Sequence, residues 1–66
     1  MIGRLEGRIH LAEPGTVLMD VGGVGYRVTT TLRAFDELAD GETAVLWIHT
    51  QVRADAIVLF GFADRG

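Results

Sequence analysis

His10 and His49 are the two histidines of a 66-residue chain that has no cysteine. Neither has the neighbours that acid–base, nucleophilic or metal chemistry requires. There is no HxxxH spacing, and no serine or cysteine nucleophile stands near either ring. Two imidazoles without thiolates are too few to close a zinc site unless carboxylates join them. Asp36 and Glu37 are adjacent, and consecutive helical positions point in different directions, so the pair cannot flank one bond. Asp20-Val21-Gly22-Gly23-Val24-Gly25-Tyr26 has the glycine content of a phosphate loop. Such a loop needs a helix directly behind it to supply amides and dipole. Tyr26-Arg27-Val28-Thr29 continues instead as strand, so Gly22, Gly23 and Gly25 are expected in a tight strand connection needing positive φ. No catalytic residue, metal or cofactor is expected.

Two other groups of residues carry more information. Trp47, Phe60 and Phe62 could be base-stacking platforms, but no basic residue accompanies them, and burial is the expected role. Arg53-Ala54-Asp55 interrupts two apolar runs near the end of the chain. A charged tip between greasy strands marks an exposed hairpin turn, where an aspartate also serves its own backbone.

The elements that position these residues follow from hydrophobic period. From Ile2 to Leu11, Gly3, Leu5, Gly7, Ile9 and Leu11 alternate with Arg4, Glu6, Arg8 and His10, the pattern of a half-buried strand. Two glycines within it point to a sheet that curls on itself. Glu13-Pro14-Gly15-Thr16 is a turn. Strands are expected over Thr16–Val21 and Gly25–Thr31, giving an antiparallel meander. Leu32–Leu38 is the one helical candidate, with Leu32, Phe35 and Leu38 on one side, Thr31 as its cap and Asp40-Gly41 as its stop. Strands over Thr43–Val52 and Ala56–Phe62 complete the set. Five short strands with a small helix between the third and fourth predict an all-β, five-stranded Greek-key barrel of the oligonucleotide/oligosaccharide-binding (OB) type. An SH3-like barrel is the rival, and the position of the helix favours the OB-fold. Residues 1–63 form the domain, and 64–66 read as the start of a linker at a cut edge.

A chain this short buries only about 60% of its unfolded surface, so its core is marginal unless a disulfide, metal or partner subunit adds to it. With disulfides excluded, oligomerisation is the natural device. The last two strands support this, being apolar on both sides: Leu46, Ile48 and Val52 oppose Val45 and Trp47, while Ile57 and Leu59 oppose Val58, Phe60 and Phe62. One side fills the barrel, and the other leaves a patch of the kind that marks partner surfaces. Trp47, Ile57 and Leu59 are the candidates for that surface. Net charge is −3 and every basic residue is arginine, so the chain lacks the basic footprint that holds nucleic acid by its phosphates. No apolar run approaches the roughly 20 residues that span a bilayer, and charges at Arg4, Glu6 and Arg8 spoil any signal-peptide core. A soluble cytoplasmic protein, with no membrane partner, is expected.

Three stretches together resemble one family. Met1-Ile2-Gly3-Arg4-Leu5-Glu6-Gly7, Asp20-Val21-Gly22-Gly23-Val24-Gly25-Tyr26-Arg27-Val28 and Val52-Arg53-Ala54-Asp55-Ala56…Leu59-Phe60-Gly61-Phe62 are similar, in order and spacing, to the N-terminal domain of the RuvA family. Members of that family are Holliday-junction-binding subunits of the bacterial branch migration complex. The resemblance implies a non-catalytic, OB-fold, tetramerising domain acting in recombination and DNA repair. It also implies that further domains, absent here, grip the four-way DNA junction and engage the ATPase RuvB. In the family the last hairpin carries two neighbouring acids, the acidic pin, at the junction crossover. Those positions fall at Ala54 and Asp55: the second matches and the first departs. Arg53 would partly neutralise the acid or meet a phosphate. A generic OB-fold oligomerisation or single-stranded nucleic-acid-binding module is the alternative.

Overall fold

The computed structural model describes residues 1–63. The expected linker start at 64–66 lies outside them. Five strands run in the order β1 (Arg4–Glu13), β2 (Thr16–Val21), β3 (Val24–Thr29), β4 (Thr43–Val52) and β5 (Ile57–Phe62), with α1 (Leu32–Asp36) between β3 and β4. The sheet closes in the order β1-β2-β3-β5-β4, with β4 returning to β1. All pairings are antiparallel except β3 with β5, which are parallel. That order, with the helix in that place, is the OB-type Greek-key barrel.

Closure depends on β1 serving two partners. Arg4 to Arg8 pair with β4, and Arg8 to Glu13 pair with β2. The strand must bend sharply where it changes partner, and Gly7 sits there. A Cβ on Gly7 would collide with the backbone carbonyl oxygen of Asp20 on β2. The curl expected from two glycines therefore rests on one. Gly3 precedes the strand and has nothing near the place a Cβ would occupy. Past the bend, the register slips between Leu11 and Glu13, a β-bulge. Leu11, still in register opposite the buried Val17, is the last residue of β1 before the slip and is 37% exposed although its alternation puts it on the core side.

Val21 and Val24 form the last pair of the β2–β3 hairpin. Gly22 and Gly23 between them have φ of +61° and +91°. Two successive positive φ values are what a two-residue hairpin of matching twist demands. The Asp20 carboxylate accepts a 2.9 Å bond from the Gly23 amide and fastens the turn. Gly25 is corrected: it lies inside β3 opposite Asp20, and its φ is not positive. What favours glycine there is the Leu18 side chain, 3.3 Å from where a Cβ would stand.

Helix α1 ends at Asp36, two residues before the Leu38 that its apolar spacing suggested. Thr31 caps it, its hydroxyl accepting from the Ala34 amide at 3.1 Å. At the other end the amides of Glu37 and Leu38 reach back three residues, to Ala34 and Phe35, so the last turn tightens away from α geometry. Phe35 and Leu38 still pack against the barrel core as their spacing required. Thr31→Ala should cost about 1 kcal/mol through the lost cap, read as a lowered urea midpoint with an unchanged slope.

Among the described residues the buried core is made of aliphatic side chains and one methionine. Leu5, Ile9, Val17 and Met19 come from β1 and β2; Val28, Leu46, Ile48 and Leu59 come from β3, β4 and β5. Burying one such side chain stabilises by about 1.5–3 kcal/mol. The expectation that Trp47, Phe60 and Phe62 fill the interior is overturned: none is in the buried set, and Phe62 is 46% exposed. The interior is too narrow for them. On β5 the inward positions are Leu59 and Gly61, and a Cβ on Gly61 would already stand 2.5 Å from Val28 Cγ1. Alternation then sends Val58, Phe60 and Phe62 outward.

Candidate functional site

Strands β4 and β5 carry both of the candidate features. Their outward sides meet across the ladder as Trp47 opposite Phe62, His49 opposite Phe60 and Gln51 opposite Val58. Val45, Trp47, Val58 and Phe60 are half-buried in the single chain, and His49 and Phe62 are exposed. The rings are organised. His49 and Phe60 have centroids 6.4 Å apart with a 37° tilt, and the Arg4 guanidinium lies 5.8 Å from the Trp47 ring centroid. The second contact is a cation–π arrangement made by a neighbouring strand, because Arg4 is the residue paired with Trp47. The exterior of β4–β5 is thus an aromatic and aliphatic sheet face edged by the charges of β1.

The three interface candidates separate. Trp47 lies on this exterior face. Leu59 does not: it is 7% exposed and packs in the barrel core, so it is corrected from interface to interior. Its neighbours Val58 and Phe60 hold the outward places. Ile57 is 68% exposed but stands at the hairpin, on the inward parity of β5, not on the aromatic face. Phe60 and Phe62 were the residues missed as surface. Gly61 between them was the available signal, since a glycine amid bulky residues marks the crowded side of a strand.

The hairpin itself extends past the barrel. Val52 pairs with Ile57, and the Arg53 amide donates to the Ala56 carbonyl at 2.8 Å. Arg53, Ala54, Asp55 and Ala56 are all exposed. Among the described residues, the ion pairs are Arg27 with Glu13 and Arg33 with Glu37, both on the surface. The side chains of Arg53 and Asp55 are bonded to neither each other nor any other described residue. The two charges are held two residues apart at a tip, facing out.

The remaining candidates stay dispersed. His10 is on β1 opposite Leu18, and His49 on β4 opposite Phe60. Among the described residues no group of three or more His, Cys, Asp or Glu is placed to hold a metal ion. Asp36 and Glu37 are exposed at the end of α1, where Glu37 lies 3.9 Å from Arg33. No helix of the described residues is long and apolar enough to cross a membrane.

The described residues thus form a closed OB-type barrel with aromatic and aliphatic side chains on the outer side of its last two strands and an exposed charged hairpin. The chain belongs to the RuvA N-terminal domain family, whose model matches residues 1–61. Among curated proteins it is 48% identical over 66 residues to the Holliday junction branch migration complex subunit RuvA of Laribacter hongkongensis, covering 98% of this chain and 33% of that protein. It is 47% identical over 64 residues to proteins of the same name from Acinetobacter baumannii and Acinetobacter baylyi. For the Acinetobacter baumannii protein the match covers 97% of this chain and 32% of the relative. The chain spans about a third of the length of the curated relatives it matches.

Proposed function

We propose that this domain is the non-catalytic assembly and junction-centring part of a Holliday junction branch migration complex subunit. Four copies gather about one axis through the outer faces of β4 and β5, and their hairpins bring Asp55 to the crossover of a four-way DNA junction. Grip on the DNA arms and engagement of the motor RuvB belong to further domains, and the complex works in the cytoplasm. The observation that carries this is the continuity of the exposed aromatic face with the exposed charged tip on the same two strands. An apolar face left partly in water is unfavourable, and burying it between copies is the ordinary remedy. Doing so delivers the tips to a common place.

The charge explains why such a tip centres a junction without holding it. Two unit charges about 8 Å apart repel by roughly 0.5 kcal/mol in water and roughly 2 kcal/mol at an effective dielectric near 20. Repulsion on that scale between Asp55 and a passing phosphate steers strands apart and leaves the crossover free to move. With Ala54 in place of a second acid, each tip carries one carboxylate, and the effect is weaker than a paired acid would give.

The test is a chimera in which this chain replaces the RuvA N-terminal domain of the Laribacter hongkongensis relative. Asp55→Asn should leave the fold intact and change the branch migration rate between about twofold and thirtyfold, the kinetic equivalent of that energy range. An unchanged rate removes the crossover role. The outward rings also favour a second function, stacking single-stranded bases on the β4–β5 face. Saturable quenching of Trp47 fluorescence by an oligonucleotide at physiological salt would establish it in place of assembly.

A further inference from the structure

Beyond Thr50 the β4–β5 hairpin is an arm free on both edges. The pairing of β1 with β4 ends at Trp47, and the N-terminal segment follows β4 only as far as Thr50, whose hydroxyl accepts from the Ile2 amide at 3.2 Å and donates to the Ile2 carbonyl at 2.7 Å. On the other side, β3 pairs with β5 only at Leu59 and Phe60. Val52 and Ile57, opposite each other on the arm, have the parity of core residues, yet they are 70% and 68% exposed because there is no barrel beneath them. The arm's two legs also differ in sign. The β4 leg carries Val52 and Arg53; the β5 leg carries Asp55 and Ile57.

We infer that the arms clasp one another between copies, Arg53 of one pairing with Asp55 of the next and Val52 of one packing on Ile57 of the next. This rests on the assembly proposed above and specifies its contact at the axis. In a cyclic array every contact is heterologous, so one side of a subunit meets the other side of its neighbour. An arm with a cation on one leg and an anion on the other is self-complementary in that arrangement, and neither charge has a partner among the described residues. The apolar pair is the ladder step next to the charged tip on its barrel side. A nucleic-acid occupant fits less well: the arm offers one arginine against one aspartate, in a chain of net charge −3 without lysine.

Sedimentation equilibrium on the 66-residue chain tests the contact. Arg53→Asp and Asp55→Arg should each raise the dissociation constant by about tenfold or more, because each sets like charges against one another. The double substitution should return it to within about threefold of the original, since the complementarity is restored in reverse. Ile57→Ser should weaken assembly by about tenfold with unchanged circular dichroism, its side chain lying mostly outside the fold. A double substitution as weak as either single one overturns the pairing while leaving the assembly standing. So does assembly indifferent to Arg53→Asp, with junction binding lost in the chimera, which would make Arg53 a phosphate contact. A chain that remains monomeric up to about 1 mM, the weak limit of specific association, removes both the clasp and the assembly on which it rests.

Discussion

Gly7→Ala should leave a large fraction of molecules unfolded at room temperature. The methyl group would be driven into the carbonyl oxygen of Asp20, with a Val21 side-chain methyl 2.9 Å away. Side chains at a crowded site can change rotamer, but here the obstacle is the backbone of a paired strand. Overpacking a core ordinarily costs about 1–3 kcal/mol; a backbone obstacle places this substitution at or above the top of that range. A single core in a domain below about 70 residues rarely supplies more than about 3–5 kcal/mol in total. The loss is therefore comparable with the whole stability. Far-UV circular dichroism and urea titration measure it directly, with Gly3→Ala as control. Gly3 has nothing within 4 Å of a Cβ position, and its alanine variant should stay within about 0.5 kcal/mol of the original. Equal midpoints for the two variants would show that β1 does not bend against β2 at Gly7.

The second large effect is on assembly. Phe62→Asp should weaken self-association by about a hundredfold or more and leave the barrel folded. Phe62 faces outward opposite Trp47 and is already 46% exposed, so the fold asks little of it. In a contact between copies it would be among the aromatic anchors that dominate such surfaces, each contributing about 2 kcal/mol or more when truncated. An aspartate adds the cost of a charge desolvated beside rings. Sedimentation across a concentration series separates the outcomes: a folded monomer fits the proposed surface, whereas wild-type association would show that another face is used. The clasp at the arm and this face are distinct contacts on the same two strands, so their effects should add only in part.

Much of the fold was legible because the local chemistry agreed with itself. The period of two over β1 and β2, the Gly22-Gly23 pair and Thr31 before an apolar helix turn each had one mechanical meaning, whereas the helix stops at Asp36, ahead of the Asp40-Gly41 turn expected to end it. The candidate site was half legible. The Arg53–Asp55 tip could be found from charge alone, since a turn is the only economical place for it between two apolar runs. Gly25 was misplaced because glycine reports either positive φ or lack of room, and a single letter does not distinguish them. The bulge after Leu11 was invisible for a similar reason: one extra residue in a ladder shows only when the partner strand is laid beside it.

By itself, the sequence determined that two apolar sides alternate along each of the last two strands, that they are joined by a charged turn, and that the chain carries the stretches shared with the RuvA N-terminal family. It left undecided which side is inside. Alternation assigns residues to two faces without giving either a direction, and for β4 and β5 both faces are apolar enough to be core. Only closure of the barrel decided it. Val28, Leu46 and Ile48 leave room at the level of residue 61 for a hydrogen and nothing larger, so Gly61 and Leu59 turn inward. Phe60, Phe62 and Trp47 are left on the surface, where another copy can reach them.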